Sequence, residues 1–459
     1  RILLRPKDHQ GISMRIDIKH PERFATVFEA VTGKKLHRPI LGITTDSREI
    51  QENDLYIALK GERVDGHSFL GSVEKSGASV ALVSQINEDL DFQQIEGDDP
   101  LSMIGNIANA WRNQFDIHVI GITGSNGKTS TKDLLVHVLQ SSYKVHATEG
   151  NFNTTIGLPL TLLQLDDEHS VSVLEMGASV PGEIKALSQI AEPTHGIITN
   201  IALTHLEGFG SIETITEEKS ALFRALENGI SFVNLADDKV AGLEIFGEKV
   251  TFGLTQDCDF PADIHQEEDG SLTLILDAHD IPTGSQNLSF IKNSIAVSAI
   301  AVTLGVEWDN VIERIQSFTP PSGRCQVKQF DDITVIDDTY NANLISSLAA
   351  LDYLKAFSGN GRRIFVFGDM FELGPTSHEQ HRKVGKKCAE LGLDGVFTLG
   401  ENTIHTDSAL NSGIDHKHFD SHDELIHSLK DLIHSGDKIL FKGSRGMTME
   451  KVIQGVFTD

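Results

Sequence analysis

Cysteine is scarce in this 459-residue chain: Cys258, Cys325 and Cys388 stand far apart, with no Cys-x-x-Cys spacing. That excludes a disulfide framework and a readable zinc ribbon, and it makes a reducing cytoplasm the default compartment. Proline is low as well, 12 residues against 40 glycines, so neither a collagen-like nor a proline-rich disordered chain is in view. Basic residues are outnumbered, 39 Lys and Arg against 66 Asp and Glu, for a formal net charge of −27. A general nucleic-acid binder needs the opposite balance to neutralise phosphates, and an anionic membrane surface would repel this one. A small anionic ligand stays open, because the local field of a cleft can oppose the net charge. No apolar run approaches the roughly 20 residues that span a bilayer, so no membrane insertion is expected. Residues 1–13 are basic without a long apolar stretch, which does not read as a signal peptide. They are left out of the fold reading, and Met14 opens the more regular sequence.

What the chain does have is length and alternation. At roughly 150 residues per domain it predicts about three domains. Strand-like apolar runs alternate with helix-like stretches, the pattern of an α/β fold. Short runs such as DLYIAL and ASVALVS come first. A long buried-strand pattern with a Gly-rich loop follows, IHVIGITGSNGKTSTKDLLVHVL, then VSVLEMG, HGIITNI and GISFVNL. After Pro320, Pro321, Ser322 and Gly323, a punctuating stretch, the alternation restarts with ITVIDD, RIFVFGD, GVFTLG and KILFKGS. The expected division is a small N-terminal α/β domain over 14–115, a central nucleotide-binding parallel-sheet domain over 116–321, and a C-terminal α/β domain over 322–459 with its own parallel sheet.

The strongest local signal is Thr123, Gly124, Ser125, Asn126, Gly127, Lys128, Thr129, Ser130 and Thr131, between an apolar strand at 117–122 and a helix with Leu134, Leu135, Val138 and Leu139 on one face. Glycines let the backbone approach a phosphate, and the helix N-terminus aims its N–H groups at the anion. Lys128 then reaches the β/γ-phosphates and the Thr129 hydroxyl binds magnesium. Ile122 stands where the first glycine of the Walker pattern would be, but strand, loop and helix come in the required order, so a nucleoside triphosphate is expected.

Three further residues are candidates. Glu175 ends the run VSVLE, where a carboxylate points into the crevice at the C-terminal edge of a parallel sheet and could share a magnesium ion with phosphate oxygens; a solvated or helix-capping Glu is the plain alternative. His205 follows another strand, and by itself reads as a structural histidine. Lys219 sits in a charged helix, and by itself reads as a solvated lysine.

TGSNGKTSTK, GNFNTTIGLPLTLL, VLEMGAS, ITNIALTHLEGFGS, VNLADD, the Gly323–Arg324 pair, IDDTYNAN, VFGDMFELG and KGSRGMTME, together with the N-terminal TDSREIQENDLYIALKGERVDGHSF, resemble the Mur ligases in order and approximate spacing over nearly the whole chain from Met14. Within that family, DD-x-YNAN and GDM-x-ELG look like the branch that adds D-alanyl-D-alanine. The resemblance implies three domains: a uridine-nucleotide-binding domain, a P-loop ATPase-type domain, and a Rossmann-like domain that closes over ATP and positions the incoming amine.

The resemblance also implies roles. Lys128, Glu175, His205 and Lys219 are the catalytic set. Thr129, Glu175 and His205 hold magnesium, two ions in all, with Lys219 carbamylated by carbon dioxide and joining them. ATP is held by residues 123–130, Asn293, Arg324 and Asp338. Asp46, Ser47, Arg48 and Lys60 bind the uridine nucleotide, as Gly61, Asp65, Gly66 and His67 fit the same pattern. Asn151, Asn153, Tyr340 and Asn341 contact substrate, and Lys442 and Arg445 close the C-terminal set. Four departures stand out: Ser289 where a histidine is usual, Thr154 for an asparagine, Ala221 for a glutamate and Leu344 for the proline of NANP.

The implied activity is ATP-driven amide formation in the cytoplasm between UDP-N-acetylmuramoyl-tripeptide and D-alanyl-D-alanine, through an acyl phosphate, by a monomer in peptidoglycan precursor synthesis. Three rivals remain: another Mur-type or folate-glutamating ligase, a P-loop switch or motor that hydrolyses ATP without an amine acceptor, and a ligase-like binding protein that has lost catalysis.

Overall fold

Three sheets, each built from short β-branched runs, organise the chain. The computed structural model describes residues 15–61, 64–357 and 359–458; Met14 and residues 1–13 lie outside them. The first sheet runs β1 (Ile16–Asp17), β2 (Gly42–Thr44), β3 (Asp54–Ile57), β4 (Val80–Val83), β5 (Gln93–Glu96) in that order, parallel except for β1.

The second sheet contains β6 (His118–Thr123), β7 (Val145–Ala147), β8 (Val171–Glu175), β9 (His195–Ile198), β10 (Ile230–Asn234), β11 (Glu248–Gly253), β12 (Phe260–Gln266), β13 (Leu272–Leu276) and β14 (His279–Ser285). Their order is β14-β13-β12-β11-β10-β9-β6-β8-β7. Order reverses around β6, so the crevice for a ligand opens at its C-terminal end, where the Gly-rich loop sits.

The third sheet contains β15 (Gln326–Phe330), β16 (Ile333–Asp338), β17 (Arg363–Gly368), β18 (Gly395–Leu399), β19 (Asp415–Phe419) and β20 (Lys438–Lys442), ordered β15-β16-β20-β17-β18-β19.

The second and third sheets have the expected parallel centres and add antiparallel strands at their edges. β12, β13 and β14 form an antiparallel ribbon and β15 pairs antiparallel with β16. The physical reason lies in burial. Strands such as β8 and β18 are buried at every residue, as central parallel strands must be, whereas β14 alternates between buried and exposed positions, which suits an antiparallel edge with one wet face. Asp277 and Ala278 both take positive φ, 47° and 61°, between β13 and β14, the two-residue hairpin geometry that matches strand twist.

Packing distinguishes the C-terminal part. One continuous apolar cluster runs from Phe24 and Phe28 of the helix Pro21–Thr32 and Ile43 of the first sheet through Trp111 into Leu158, Leu162 and Ile184 of the central part. Arg112 Nε reinforces it by donating to Ala191 O at 2.9 Å. The other face of the central sheet packs Leu134, Leu135 and Val138 against Ile291, Ile295 and Ile300 of the helix Leu288–Thr303. The third sheet is sandwiched by two clusters of its own. It meets the phosphate loop and His205 through polar side chains, the kind of interface across which domains move.

Candidate active site in a cleft between the central and C-terminal sheets

The Gly-rich loop is fixed from behind. It links Thr123, the buried last residue of β6, to Lys128, the first residue of the helix Lys128–Leu139. Gly124 has φ 148°, and a Cβ there would lie 1.9 Å from Thr199 Oγ1, so no side chain fits. The segment after β9 clamps the loop. Thr199 Oγ1 and Asn200 Nδ2 donate to Asn126 O at 2.6 and 2.9 Å. Asn126 N donates to Asn200 Oδ1 at 3.0 Å, and Ser125 Oγ donates to Ala202 O at 2.9 Å. In sequence, nothing marks Thr199 and Asn200 for this role. Lys128 Nζ donates to Gly124 O at 2.8 Å, folded over the loop it would serve.

Glu175, 2% exposed, ends β8 beside the loop. Its Oε2 accepts from Thr129 Oγ1 at 2.6 Å and its Oε1 from Asn153 Nδ2 at 2.7 Å. Hydroxyl and carboxylate oxygens side by side are the donors a hard cation takes when phosphates complete its shell. Thr129 and Glu175 supply two such donors, which suits an ion shared with a nucleotide.

His205 precedes the helix Leu206–Phe209 with φ 50°. Its Nδ1 pairs with Glu372 Oε2 from the loop after β17; the sequence reading had quoted Glu372 only as part of a motif. Lys219 is 3% exposed on the helix Ile212–Arg224. Burial lowers its pKa from 10.5 to about 7, the Lys128 charge pushes the same way, and Glu218 opposes them. Glu218 accepts backbone N–H bonds from Gly182 and Ile184 at 2.5 and 2.6 Å. Burial, which the charged helix pattern concealed, is what sets Lys219 apart from a solvated lysine.

A cleft of about 1260 Å³ separates these groups from the third sheet. Residues 125–130, Asn151, Asn153, Glu175, His205 and Asn293 line its central side. Arg324, Asp338, Tyr340, Asn341, Lys442 and Arg445 line the facing side. There Arg324 stacks 3.9 Å over the Tyr340 ring, and Lys442 Nζ donates to Asp338 Oδ2 at 2.5 Å and to Asn341 O at 2.9 Å. Thr123, Gly124 and Lys219 stand behind this lining.

Asp46, Ser47, Arg48 and Lys60 form a separate patch, beyond the C-terminal ends of the parallel strands β2 and β3. Arg48 Nε donates to Asp46 Oδ1 at 2.9 Å, and the guanidinium holds that carboxyl below its usual range. Lys60 forms a β-bridge with Asp65. Asp65 also meets His67 Nδ1 at 2.7 Å.

The departures are accommodated locally. Leu344 is the first residue of the helix Leu344–Ala356, a position where proline is favoured but not required. Ser289 lines the cleft, with its backbone N–H held by the Asn287 side chain at 2.9 Å. Thr154 Oγ1 accepts from Gly157 N at 3.3 Å. Ala221 packs against the core.

Three family descriptions match this chain: the Mur ligase family catalytic domain over residues 39–111, the Mur ligase middle domain over 122–301, and the Mur ligase glutamate ligase domain over 323–445. The UDP-N-acetylmuramoyl-tripeptide–D-alanyl-D-alanine ligase of Bacillus subtilis is 33% identical over 430 residues, covering 90% of this chain and 93% of the relative. The enzyme of the same name from Synechocystis is 35% identical, covering 92% of each. A crystal structure of MurF from Acinetobacter baumannii superposes with a TM-score of 0.85 at 30% identity, covering 95% of this chain and 98% of that one. The MurF ligase of Thermotoga maritima, solved with ADP, gives 0.80 at 29% identity, covering 90% and 96%. The chain belongs to the Mur ligase family.

Proposed function

We propose that the chain joins D-alanyl-D-alanine to the terminal carboxylate of UDP-N-acetylmuramoyl-tripeptide, with ATP converted to ADP and phosphate. The observation that carries the reading is one cleft with a phosphate loop and the Thr129–Glu175 pair on one wall, and the cationic Arg324, Lys442 and Arg445 on the other. The high-coverage relatives named for this reaction support it.

In this reading a tripeptide carboxylate oxygen attacks the γ-phosphorus of ATP, and the bond to the ADP oxygen breaks. The amine nitrogen of the dipeptide then attacks the acyl carbon, the carbon–oxygen bond breaks, and phosphate leaves with that oxygen. Lys128 swings from Gly124 O to the transferring phosphoryl group and offsets its charge, and Arg324 approaches from the facing wall. The walls bring acid and amine within roughly 3 Å, and positioning supplies much of the rate. Closure of the C-terminal part keeps water from the acyl phosphate.

Thr129, Glu175 and His205 would hold magnesium, which when bound neutralises phosphate charge. A Lys219 pKa near 7 leaves neutral amine at physiological pH, the form that takes up carbon dioxide as a carbamate. Asp46, Ser47, Arg48 and Lys60 hold the uridine end, so residues 14–115, 116–321 and 322–459 divide the work into substrate, ATP and amine handling. The need for ATP and a nucleotide-linked substrate supports a cytoplasmic reaction.

The test is phosphate release by the purified chain with ATP, magnesium and UDP-N-acetylmuramoyl-tripeptide, with and without D-alanyl-D-alanine. Dipeptide-dependent release and a pentapeptide product by mass are expected. Release indifferent to both substrates would replace the ligase reading with a hydrolytic switch.

A further inference from the structure

Asn343 and Asn126 stand 217 residues apart in sequence, yet Asn343 Nδ2 donates to Asn126 Oδ1 at 2.6 Å. The bond runs from the third sheet's side of the cleft to the phosphate loop. Each partner is held by other bonds. Asn343 is the N-cap of the helix Leu344–Ala356: its Oδ1 accepts from Ser346 N at 2.9 Å, and Ser346 Oγ accepts from Asn343 N at 3.1 Å. That capping box leaves Nδ2 as the one part of the side chain aimed across the cleft. Asn126 has its backbone clamped by Thr199 and Asn200, so only its side-chain amide can respond to a ligand. The Nδ2 of that amide is buried and has no hydrogen-bond partner. An orphaned buried donor calls for an acceptor supplied from elsewhere, and in a phosphate loop the available acceptor is a phosphate oxygen.

We propose that the Asn126 amide relays nucleotide occupancy to the C-terminal part, its Nδ2 donating to a phosphate oxygen while its Oδ1 accepts from Asn343. Asn343 is thereby a positioning residue for closure. The orientation of one amide couples the two events. With Oδ1 turned toward Asn343, Nδ2 is presented to the phosphate; an acceptor placed at 343 would flip the amide and turn Nδ2 away. The inference rests on the nucleotide reading of the loop given above.

The test separates relay from capping. Serine caps helices about as well as asparagine but is too short to reach Asn126, so Asn343→Ser keeps the helix and removes the cross-cleft bond. Binding of ADP is measured calorimetrically in the unaltered chain, Asn343→Ser, Asn126→Ala and the double variant, with thermal melting to confirm folding. The relay predicts that Asn343→Ser weakens ADP binding about 5-fold or more in the unaltered background and under about 2-fold in the Asn126→Ala background, the coupling expected of contacting residues. It also predicts more phosphate released per amide formed, since a loosened lid admits water to the acyl phosphate. Equal factors in both backgrounds, or an unchanged affinity and phosphate-to-amide ratio in Asn343→Ser, would overturn it. Failure of the unaltered chain to bind ADP would overturn the nucleotide reading itself.

Discussion

His205 and Glu372 are 167 residues apart in the chain and meet as a hydrogen-bonded pair at the cleft, imidazole Nδ1 against carboxylate Oε2. The pair joins the central and C-terminal parts where, among the described residues, no shared apolar cluster does. Its side chains are 28% and 44% exposed, so water and salt weaken it. Replacing Glu372 with Gln is therefore expected to lower the unfolding free energy by less than about 1 kcal/mol, read from urea melts. A loss several times larger would mean that the two parts are rigidly joined and that closure needs another account.

Lys128→Ala is expected to reduce ligase turnover by at least about 100-fold, the scale for removing one aimed charge-stabilising donor. The circular dichroism spectrum should be unchanged, because Lys128 Nζ donates to Gly124 O of the loop it sits on. Near-normal turnover in a folded variant would remove Lys128 from the chemistry.

Lys219 makes stability depend on pH in a defined direction. Its folded pKa, about 7, lies below the ordinary 10.5, so between those values the unfolded chain binds more protons and stability rises with pH. Below pH 7 the buried cation is fully destabilising. In buffers freed of carbon dioxide, Lys219→Met should unfold at higher urea than the unaltered chain at pH 6, with the gap shrinking toward pH 10. The same variant should lack ligase activity. A gap independent of pH would place the lysine in a wetter setting. Recovery of activity in Lys219→Ala by short carboxylates would mark the carbamate.

The long parallel strands were legible because burial on both faces leaves a short run rich in β-branched residues: VSVLE is β8 and ITVIDD is β16, residue for residue. The phosphate loop was legible because glycine, lysine and threonine each have one physical use there. The ribbon β12–β14 was not, because half its residues face water and its apolar content is diluted. Thr199, Asn200 and Asn343 were missed for another reason. Their roles depend on which segments fold against the loop, and a lone polar residue carries no periodic signal of that. Glu175 stood out by its place at the end of a strand, whereas His205 and Lys219 needed the family resemblance to rise above plain readings; burial to 3% now gives Lys219 a physical distinction.

Gly124→Ala is expected to destabilise the chain by about 1–3 kcal/mol, the cost of a forced backbone conformation. It should also break the Thr199–Asn126 bond, since the new Cβ would sit on Thr199 Oγ1. Loss of ADP binding in calorimetry should accompany the lowered melting temperature. Unchanged binding would show that the loop tolerates displacement from β9.

Asp338→Ala removes the carboxylate facing Lys442, whose side chain is 2% exposed. Stranding a buried cation costs about 3 kcal/mol or more. Asp338→Ala with Lys442→Met should recover much of that stability without recovering activity, because both groups line the cleft. Chemical denaturation of the single and double variants checks it; an additive double variant would contradict the pairing.

In the proposed reaction a carboxylate of the peptide substrate, not water, attacks ATP. Oxygen-18 placed in the terminal carboxylate of UDP-N-acetylmuramoyl-tripeptide tests it directly. After turnover with ATP, magnesium and D-alanyl-D-alanine, mass spectrometry of the inorganic phosphate should find one labelled oxygen per amide bond formed. Phosphate that carries solvent oxygen and none of the label would contradict the acyl-phosphate route and leave the cleft as the site of a simple ATPase.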